Sequence, residues 1–142
     1  MKRIMSAAAA AVTVLVCGCR SAAECGTVPD KKSAVHEQGR KIIQAVSAQD
    51  FADYLHHAGE DGAAADEAGF KKSCQEMTAR LGKMKKFTFL TELVTPEFTN
   101  LVYIADFVKS SGNGRELRHQ QLIQLVFGEV DGRSKLMGIR VM

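Results

Sequence analysis

Two ionisable side chains share strand faces with apolar residues, where general acid–base chemistry would need them. Asp106 sits in the segment Leu-Val-Tyr-Ile-Ala-Asp-Phe-Val, and His119 shares an alternating face with apolar neighbours. Burial in an apolar pocket shifts the pKa of such groups towards neutrality, which suits them to move protons. Tyr54 and Tyr103 supply the aromatic hydroxyls available to the same pocket.

The direction of these side chains argues against a catalytic pair. Asp106 and Tyr103 differ by three positions, so on a regular strand they point to opposite faces. The alternative interpretation is an edge-facing aspartate and a hydrogen-bonded histidine. We therefore treat Tyr54, Tyr103, Asp106 and His119 as candidate pocket residues and predict no catalytic residue.

Histidine, cysteine and glycine spacings do not predict a metal or cofactor site. His56 and His57 are adjacent, and neighbours on a helix diverge by about 100°, so they cannot both approach one ion. The sequence has no Cys-x-x-Cys pair and no His-x-x-x-His pair. Gly112 and Gly114 fall in a hairpin turn, which is not the place of a phosphate-binding loop. We expect no metal and no cofactor.

The first residues have the order of an export signal. Lys2 and Arg3 precede an uncharged run from 4 to 17 that is rich in Ala, Val and Leu. This run is about 14 residues long, whereas spanning a bilayer takes roughly 20. The pattern predicts a cleaved signal peptide and no permanent transmembrane helix.

Two peptidases could cut this signal. Val-Cys-Gly-Cys at 16–19 resembles a bacterial lipobox, which predicts a signal peptide over 1–19, cleavage before Cys19 and a lipid anchor on its thiol. Small residues at 21–23 alternatively suit ordinary signal peptidase, which would cut after Ala23 and release a secreted soluble protein. We favour lipidation because Cys19 follows the apolar run directly. The expected location is the bacterial cell envelope, as a membrane-anchored lipoprotein or in the periplasm.

Either cut leaves Cys25 and Cys74 as a cysteine pair in a compartment where disulfides persist. A bridge between them would close a loop of about 50 residues and contribute about 3–4 kcal/mol in the chain-entropy model. The alternative is that Cys74 is a small buried hydrophobe and that Cys25 lies in a tether. Both interpretations stay open from the sequence.

Charge and length limit the class of protein. Residues 20–30 are small and polar, typical of a tether, and residues 31–142 are enough for one domain with its own core. The formal charge of +3 falls to +1 once Lys2 and Arg3 are removed, and to zero if Arg20 is lost as well. No basic stripe remains to bind phosphates, so we expect no nucleic-acid partner. The lysines at 83, 85 and 86 fit a solvated helix-to-strand junction.

Apolar spacing predicts three helices before residue 82, at about 31–46, 51–59 and 65–81. Ser47 and Asp50 fit a capping box for the second helix. Gly82 follows the third helix at the position where a positive φ ends a helix. That helix has the clearest amphipathic stripe, formed by Phe70, Cys74, Met77 and Leu81.

After Gly82 the apolar period falls from about 3.6 to 2, which predicts strands at 87–93, 98–108, 115–129 and 135–142. Pro96 separates the first two strands, and Asp131-Gly132 is a two-residue hairpin signal. Three helices followed by four strands joined by short turns predict an α+β fold. The helices should pack on one face of a curved four-stranded antiparallel sheet.

The second strand is apolar on both faces. Leu101, Tyr103 and Phe107 alternate with Val102 and Ile104. One layer of helices covers only one face of a sheet, and an antiparallel sheet with a wet face alternates more cleanly. We therefore predict a homodimer that pairs through the second face.

This order of elements, together with the ending Asp-Gly-Arg-Ser-Lys-Leu-Met-Gly-Ile-Arg-Val at 131–141, resembles the cystatin-like, nuclear transport factor 2-like superfamily. The likeness is strongest to its small exported bacterial members of unknown function, and it covers roughly residues 31–142. It implies a cone formed by the helices and the bent sheet. In different members this cone is a catalytic pocket, a binding cavity or simply core.

The expected function is that of a non-enzymatic, exported envelope protein, anchored at Cys19, which binds a partner protein or a small apolar ligand. The alternative is an enzyme of isomerase or dehydratase type that uses the cone, and a third hypothesis is a structural or inhibitory interaction module. An open cone with a convergent acid and donor would favour the enzyme. A cone filled by Phe70, Met77, Phe89 and Ile123 would favour the interaction module.

Overall fold

The computed structural model describes residues 31–59 and 66–142. The predicted signal peptide, the lipidation site at Cys19, the tether at 20–30 and Cys25 lie outside these described residues. Within the described ranges, no helix is both long enough and apolar enough to cross a membrane.

Three helices come first, as predicted: α1 (Lys31–Ala48), α2 (Phe51–Ala58) and α3 (Glu67–Leu81). The predicted cap of α2 at Ser47 is wrong. Asp50 is the N-cap, and its carboxylate accepts from the backbone N–H of Asp53 at 3.0 Å. Because α1 runs on to Ala48, Ser47 is still inside that helix, and the cap passes to the first residue in extended conformation.

At Gly39 the backbone of α1 lies close to the side chains of the sheet. A Cβ at this position would lie 2.7 Å from Leu101 Cδ1 and 2.8 Å from the Tyr103 hydroxyl oxygen. Glycine inside a helix costs about 1 kcal/mol relative to alanine. Glycine is nevertheless favoured here, because without a Cβ the helix backbone can pack directly on Leu101 and Tyr103 of the sheet.

Gly82 joins α3 to the first strand with φ +90°, and its N–H donates to the carbonyl of Thr78 at 2.8 Å. A Cβ there would lie 2.3 Å from the carbonyl oxygen of Val108, so only glycine fits. Lys109 adds a second tie, because its ammonium donates to the carbonyls of Ala79 and Arg80 at 2.8 and 3.3 Å. The C-terminal end of α3 is therefore fixed against the second strand.

The four strands are β1 (Lys83–Val94), β2 (Phe98–Ser110), β3 (Glu116–Val130) and β4 (Arg133–Val141), and all neighbours are antiparallel in the order β1-β2-β3-β4. The β3–β4 turn carries positive φ at Asp131 and Gly132, as the hairpin signal predicts. The predicted start of β1 at 87 is wrong. The lysines interpreted as a junction belong to the strand, whose edge position keeps their side chains in water.

The core lies between the helices and one face of the sheet, called here the inner face. Leu101, Ala105 and Phe107 of β2 have no exposed surface. From the helices, Ile42, Ile43 and Phe70 are buried against them. The opposite or outer face includes Val102, which pairs with Gln124, and Ile104, which pairs with Leu122. Among the described residues, helices therefore cover one face of the sheet, as the α+β prediction requires.

Candidate functional site

An apolar depression of about 570 Å³ lies between α3 and β4; we call it the α3–β4 cavity. Apolar side chains from three elements, α1, α3 and β4, form its walls: Val46, Phe70, Met77, Ile139 and Val141. The polar groups that line it are Tyr54, Ser73, Cys74, Glu76 and Arg80. Ser73, Glu76 and Arg80 are exposed, so the polar groups of α3 surround the opening.

Aromatic packing and a helix cap position the wall of the cavity. The Tyr54 ring lies 4.6 Å from the Phe70 ring, and Phe51 lies 5.5 Å from Phe70. Asp66 caps α3, with its carboxylate accepting from the N–H groups of Ala68 and Gly69 at 3.2 and 3.0 Å. These contacts fix α2 and the N-terminal turn of α3 as one unit.

Burial keeps the two titratable groups inside the cavity neutral. Desolvation raises the pKa of Cys74, and its Sγ lies 3.9 Å from the carbonyl of Val46. Desolvation likewise raises the pKa of Tyr54. A thiol and a phenol in this state are weak nucleophiles at neutral pH. Cys74 is a buried thiol and Cys25 lies outside the described residues, so the disulfide stays a prediction.

A second depression, about 490 Å³ in volume, lies between α1 and β1 and is called here the α1–β1 groove. It is lined by His36, Arg40, Phe89 and Tyr103, among others. His36 stacks on Phe89 with ring centroids 4.7 Å apart. Burial raises the pKa of Tyr103 to about 12, so its hydroxyl is neutral in the fold.

The α1–β1 groove contains a histidine–carboxylate contact that sequence reasoning missed. His36 Nε2 lies 3.3 Å from Glu92 Oε2, yet it makes no hydrogen bond of acceptable angle. The contact is therefore a close approach and not a directed hydrogen bond, and it is an ion pair only when the histidine is protonated. No local pattern joins residues 56 positions apart; their pairing arises because α1 lies across the β1 edge.

The structure does not bring all four predicted pocket residues together, although Asp106 and His119 both line a depression of about 570 Å³. Tyr54 lines the α3–β4 cavity, while Tyr103 lines the α1–β1 groove. Asp106 lies on the outer face, where its carboxylate accepts from Gln120 Nε2 at 2.7 Å. His119 stacks on Phe107 with ring centroids 6.0 Å apart. The opposite directions predicted for Asp106 and Tyr103 follow from this register.

His56 and His57 also fail to form a binding cluster. His57 Nε2 lies 3.3 Å from the Asp53 carboxylate, one turn earlier in α2. In the part of the chain that the structure describes, no three His, Cys, Asp or Glu side chains come together in a way that could hold a metal ion.

Comparisons with known proteins place the chain by fold. No protein-family model matches it, and no curated protein matches its sequence. Among solved structures, a nuclear transport factor 2-like protein of unknown function from Shewanella oneidensis is similar at 13% identity and TM-score 0.50, covering 79% of this chain and 98% of that one.

Two further structures agree. A protein of unknown function with a cystatin-like fold from Nostoc punctiforme has 12% identity and TM-score 0.53, over 78% of this chain and 88% of that one. The protein Aln2 from a Streptomyces species has 12% identity and TM-score 0.52, over 80% of this chain and 90% of that one. The chain thus has the cystatin-like, nuclear transport factor 2-like fold that the resemblance implied, and likeness at this level shows the fold alone.

Proposed function

We propose that this chain is the precursor of an exported, non-enzymatic binding module of the cell envelope, anchored by lipid at Cys19. Its domain holds the apolar part of a small ligand or of a partner protein in the α3–β4 cavity. One observation carries the proposal: the cavity has apolar walls, and its inner titratable groups, Tyr54 and Cys74, are both kept neutral by burial.

The size and lining of the cavity fit an apolar ligand with one polar end. Ligand sites usually measure about 300–1,000 Å³, with apolar walls and a few polar groups that fix orientation. Phe70, Met77 and Ile139 would contact the apolar body. Glu76 and Arg80 lie at the opening, where a polar end would stay in water.

The enzyme alternative, an isomerase or dehydratase, has less support. Such an enzyme needs a proton donor and an acceptor that converge on one substrate. The His36–Glu92 contact belongs to the α1–β1 side of the fold, and Asp106 and His119 line a different depression, so neither pair lies in the α3–β4 cavity. The cavity itself offers two neutral groups and an exposed Glu76, which favours binding over catalysis.

A homodimer through the outer face forms part of the same proposal. The apolar centre of this face on β2 and β3 consists of Val102, which is buried in the single chain, and of Ile104, Leu122 and Val126, which are half-buried. Two polar side chains next to Val102, Gln124 and Asn100, are neutral amides that pair with each other: Gln124 Nε2 donates to Asn100 Oδ1 at 2.9 Å. The centre of this face is apolar, with the charges of Asp106 and Arg140 beside it, and it suits a second copy of the same face because a two-fold interface brings each patch onto itself.

A fluorescent apolar probe tests the cavity. N-phenyl-1-naphthylamine should bind the domain, and Ser73→Trp should weaken that binding at least about 10-fold by filling the opening from an exposed position. Gln75→Trp is the matched control, since Gln75 is exposed on the same helix and does not line the cavity. Equal binding by the wild type and both variants would contradict the cavity as the site.

Mass spectrometry of the mature protein tests the anchor separately. Expression in a bacterial host that processes lipoproteins should give an N-terminal Cys19 carrying diacylglycerol, and Cys19→Ser should abolish the lipid mass. A mature chain that begins at Glu24 would instead assign the protein to the soluble exported class.

A further inference from the structure

The outer edge of β4 offers unpaired backbone groups. Among the described residues, β4 pairs with β3 alone. Leu122 and Met142 exchange both backbone hydrogen bonds, at 3.1 and 2.9 Å. In an antiparallel ladder the hydrogen-bonded positions alternate, so the N–H and C=O groups of Val141 and Ile139 turn away from β3. The backbone N–H and C=O groups of these two residues therefore point towards the space beside β4, where another strand could pair with them.

The same two residues line the α3–β4 cavity with their side chains. Val141 pairs with Ile123 and Ile139 with Leu125, so both lie on the inner face. The backbone edge and the apolar cavity are therefore continuous. A strand laid against β4 would place every second side chain under α3, beside Phe70 and Met77.

The two edges of the sheet are protected to different degrees. β1 has register shifts at 84/86 and 89/91 and begins with lysines at 83, 85 and 86. Such bulges and lysines are devices that block edge pairing. In β4 the one shift falls at Met137, and Gly138–Val141 runs regularly after it. The accessible stretch is therefore the one next to the cavity.

The charge of β4 indicates what the added strand should carry. Arg133, Lys135 and Arg140 are its charged residues, and it has no acid. Arg140 is exposed and pairs with Gln124, which places it on the outer face. Opposite charges on neighbouring strands stabilise pairing. An incoming strand with acidic side chains on its outer positions and apolar ones on its inner positions would match both surfaces.

We propose that the β4 edge and the α3–β4 cavity together bind an extended segment of a partner protein by strand addition, with apolar residues alternating with acidic ones. This inference rests on the proposed function, since it names the occupant of the same cavity. Backbone hydrogen bonds to Ile139 and Val141 supply affinity, and the cavity selects the apolar side chains.

A fluorescein-labelled peptide of alternating valine and glutamate is the probe, and fluorescence anisotropy is the measurement. Two further peptides carry N-methyl groups on alternate sets of amides. In strand addition one set of amides faces β4 and the other faces water. The peptide methylated on the water-facing set should bind like the unmethylated parent. The peptide methylated on the set that faces β4 should bind at least about 10-fold more weakly, because it loses its hydrogen bonds to β4. If both methylated peptides bind like the parent, or both lose binding equally, the proposal is overturned. A valine–lysine peptide should bind at least about 5-fold more weakly than the glutamate peptide.

The substitution Val141→Pro tests whether the backbone of β4 takes part in binding the peptide. It removes an N–H that points away from β3, so proline is tolerated at this edge position and the fold is kept. Peptide binding should weaken about 3- to 10-fold, whereas Val141→Ala, which keeps the N–H, should lose less. Equal losses overturn the proposal. A change of oligomeric mass in Val141→Pro would assign the edge to a second copy and overturn it as well.

The naphthylamine probe separates this inference from the proposed function. If the peptides fail to bind while the probe still binds and Ser73→Trp still blocks it, strand addition is wrong and the cavity remains a small-ligand site. If neither the peptides nor the probe binds, both proposals fall.

Discussion

Leu125 and Leu122 lie three residues apart on β3 and meet different surroundings. Leu125 faces the helices and has no exposed surface, whereas Leu122 pairs with Ile104 on the outer face and is half-buried. Of these two leucines, one thus belongs to the core and the other to the outer surface of the sheet. Core formation explains the inner leucine; the outer one needs a different explanation, which the proposed dimer gives.

Paired substitutions of these leucines test that difference most strongly. Leu125→Ala should lower the free energy of unfolding by about 2–5 kcal/mol, because it leaves a cavity in a sealed core. Leu122→Ala should lower the free energy of unfolding by less than about 1.5 kcal/mol. The stability of a dimer rises with protein concentration, and Leu122→Ala should weaken this rise. Urea unfolding at two protein concentrations measures both effects. Equal losses would mean that the two faces are not distinct.

Ile104→Asp sharpens the comparison from the outer side. A charge at the centre of the apolar outer face should convert a dimer into a monomer or an aggregate, because a carboxylate cannot be buried without a partner. Sedimentation equilibrium measures the mass. Gln75→Asp, the same new charge at an exposed site on α3, should leave the dimer intact. A monomeric wild type whose mass does not change on substitution would refute the dimer.

The smallest expected effect is a pH dependence confined to the inner face. Burial raises the pKa of Tyr103 from its ordinary value of 10.0 to about 12. A folded-state pKa above the unfolded value stabilises the fold below about pH 10, and this contribution is lost as pH rises towards about 12. Tyr103→Phe should flatten the fall of melting temperature over that range, and Leu122→Ala should keep the wild-type slope. An unchanged slope in Tyr103→Phe would show that its hydroxyl is not in a dry site.

Local patterns in the sequence predicted the elements well because each pattern is complete within a few residues. The change of apolar period after Gly82 separates helices from strands, and the Asp131-Gly132 pair sets the last hairpin. The start of β1 was missed because lysines on an edge strand remain solvated and look like a junction. The cap of α2 was misplaced by three residues because α1 extends past Ser47.

The site was less predictable because its walls come from segments far apart in the chain. Tyr54 was predicted as a pocket residue and lines the cavity, whereas Cys74, which also lines it, was predicted only as a disulfide partner or a buried hydrophobe. Ile139 and Val141 carry no local sign of a site; they line it because β4 is the sheet's edge. The position of the cavity therefore follows from the order of the strands, which places β4 at the edge of the sheet.

The glycine junction at 82 has a mechanical consequence for entry to the cavity. Gly82 is seated against the carbonyl of Val108, and Lys109 holds the last carbonyls of α3. This end of the helix is a fixed pivot. The part of the cavity opening at Arg80, next to this junction, therefore cannot widen unless the contacts that Gly82 and Lys109 make between α3 and β2 are broken.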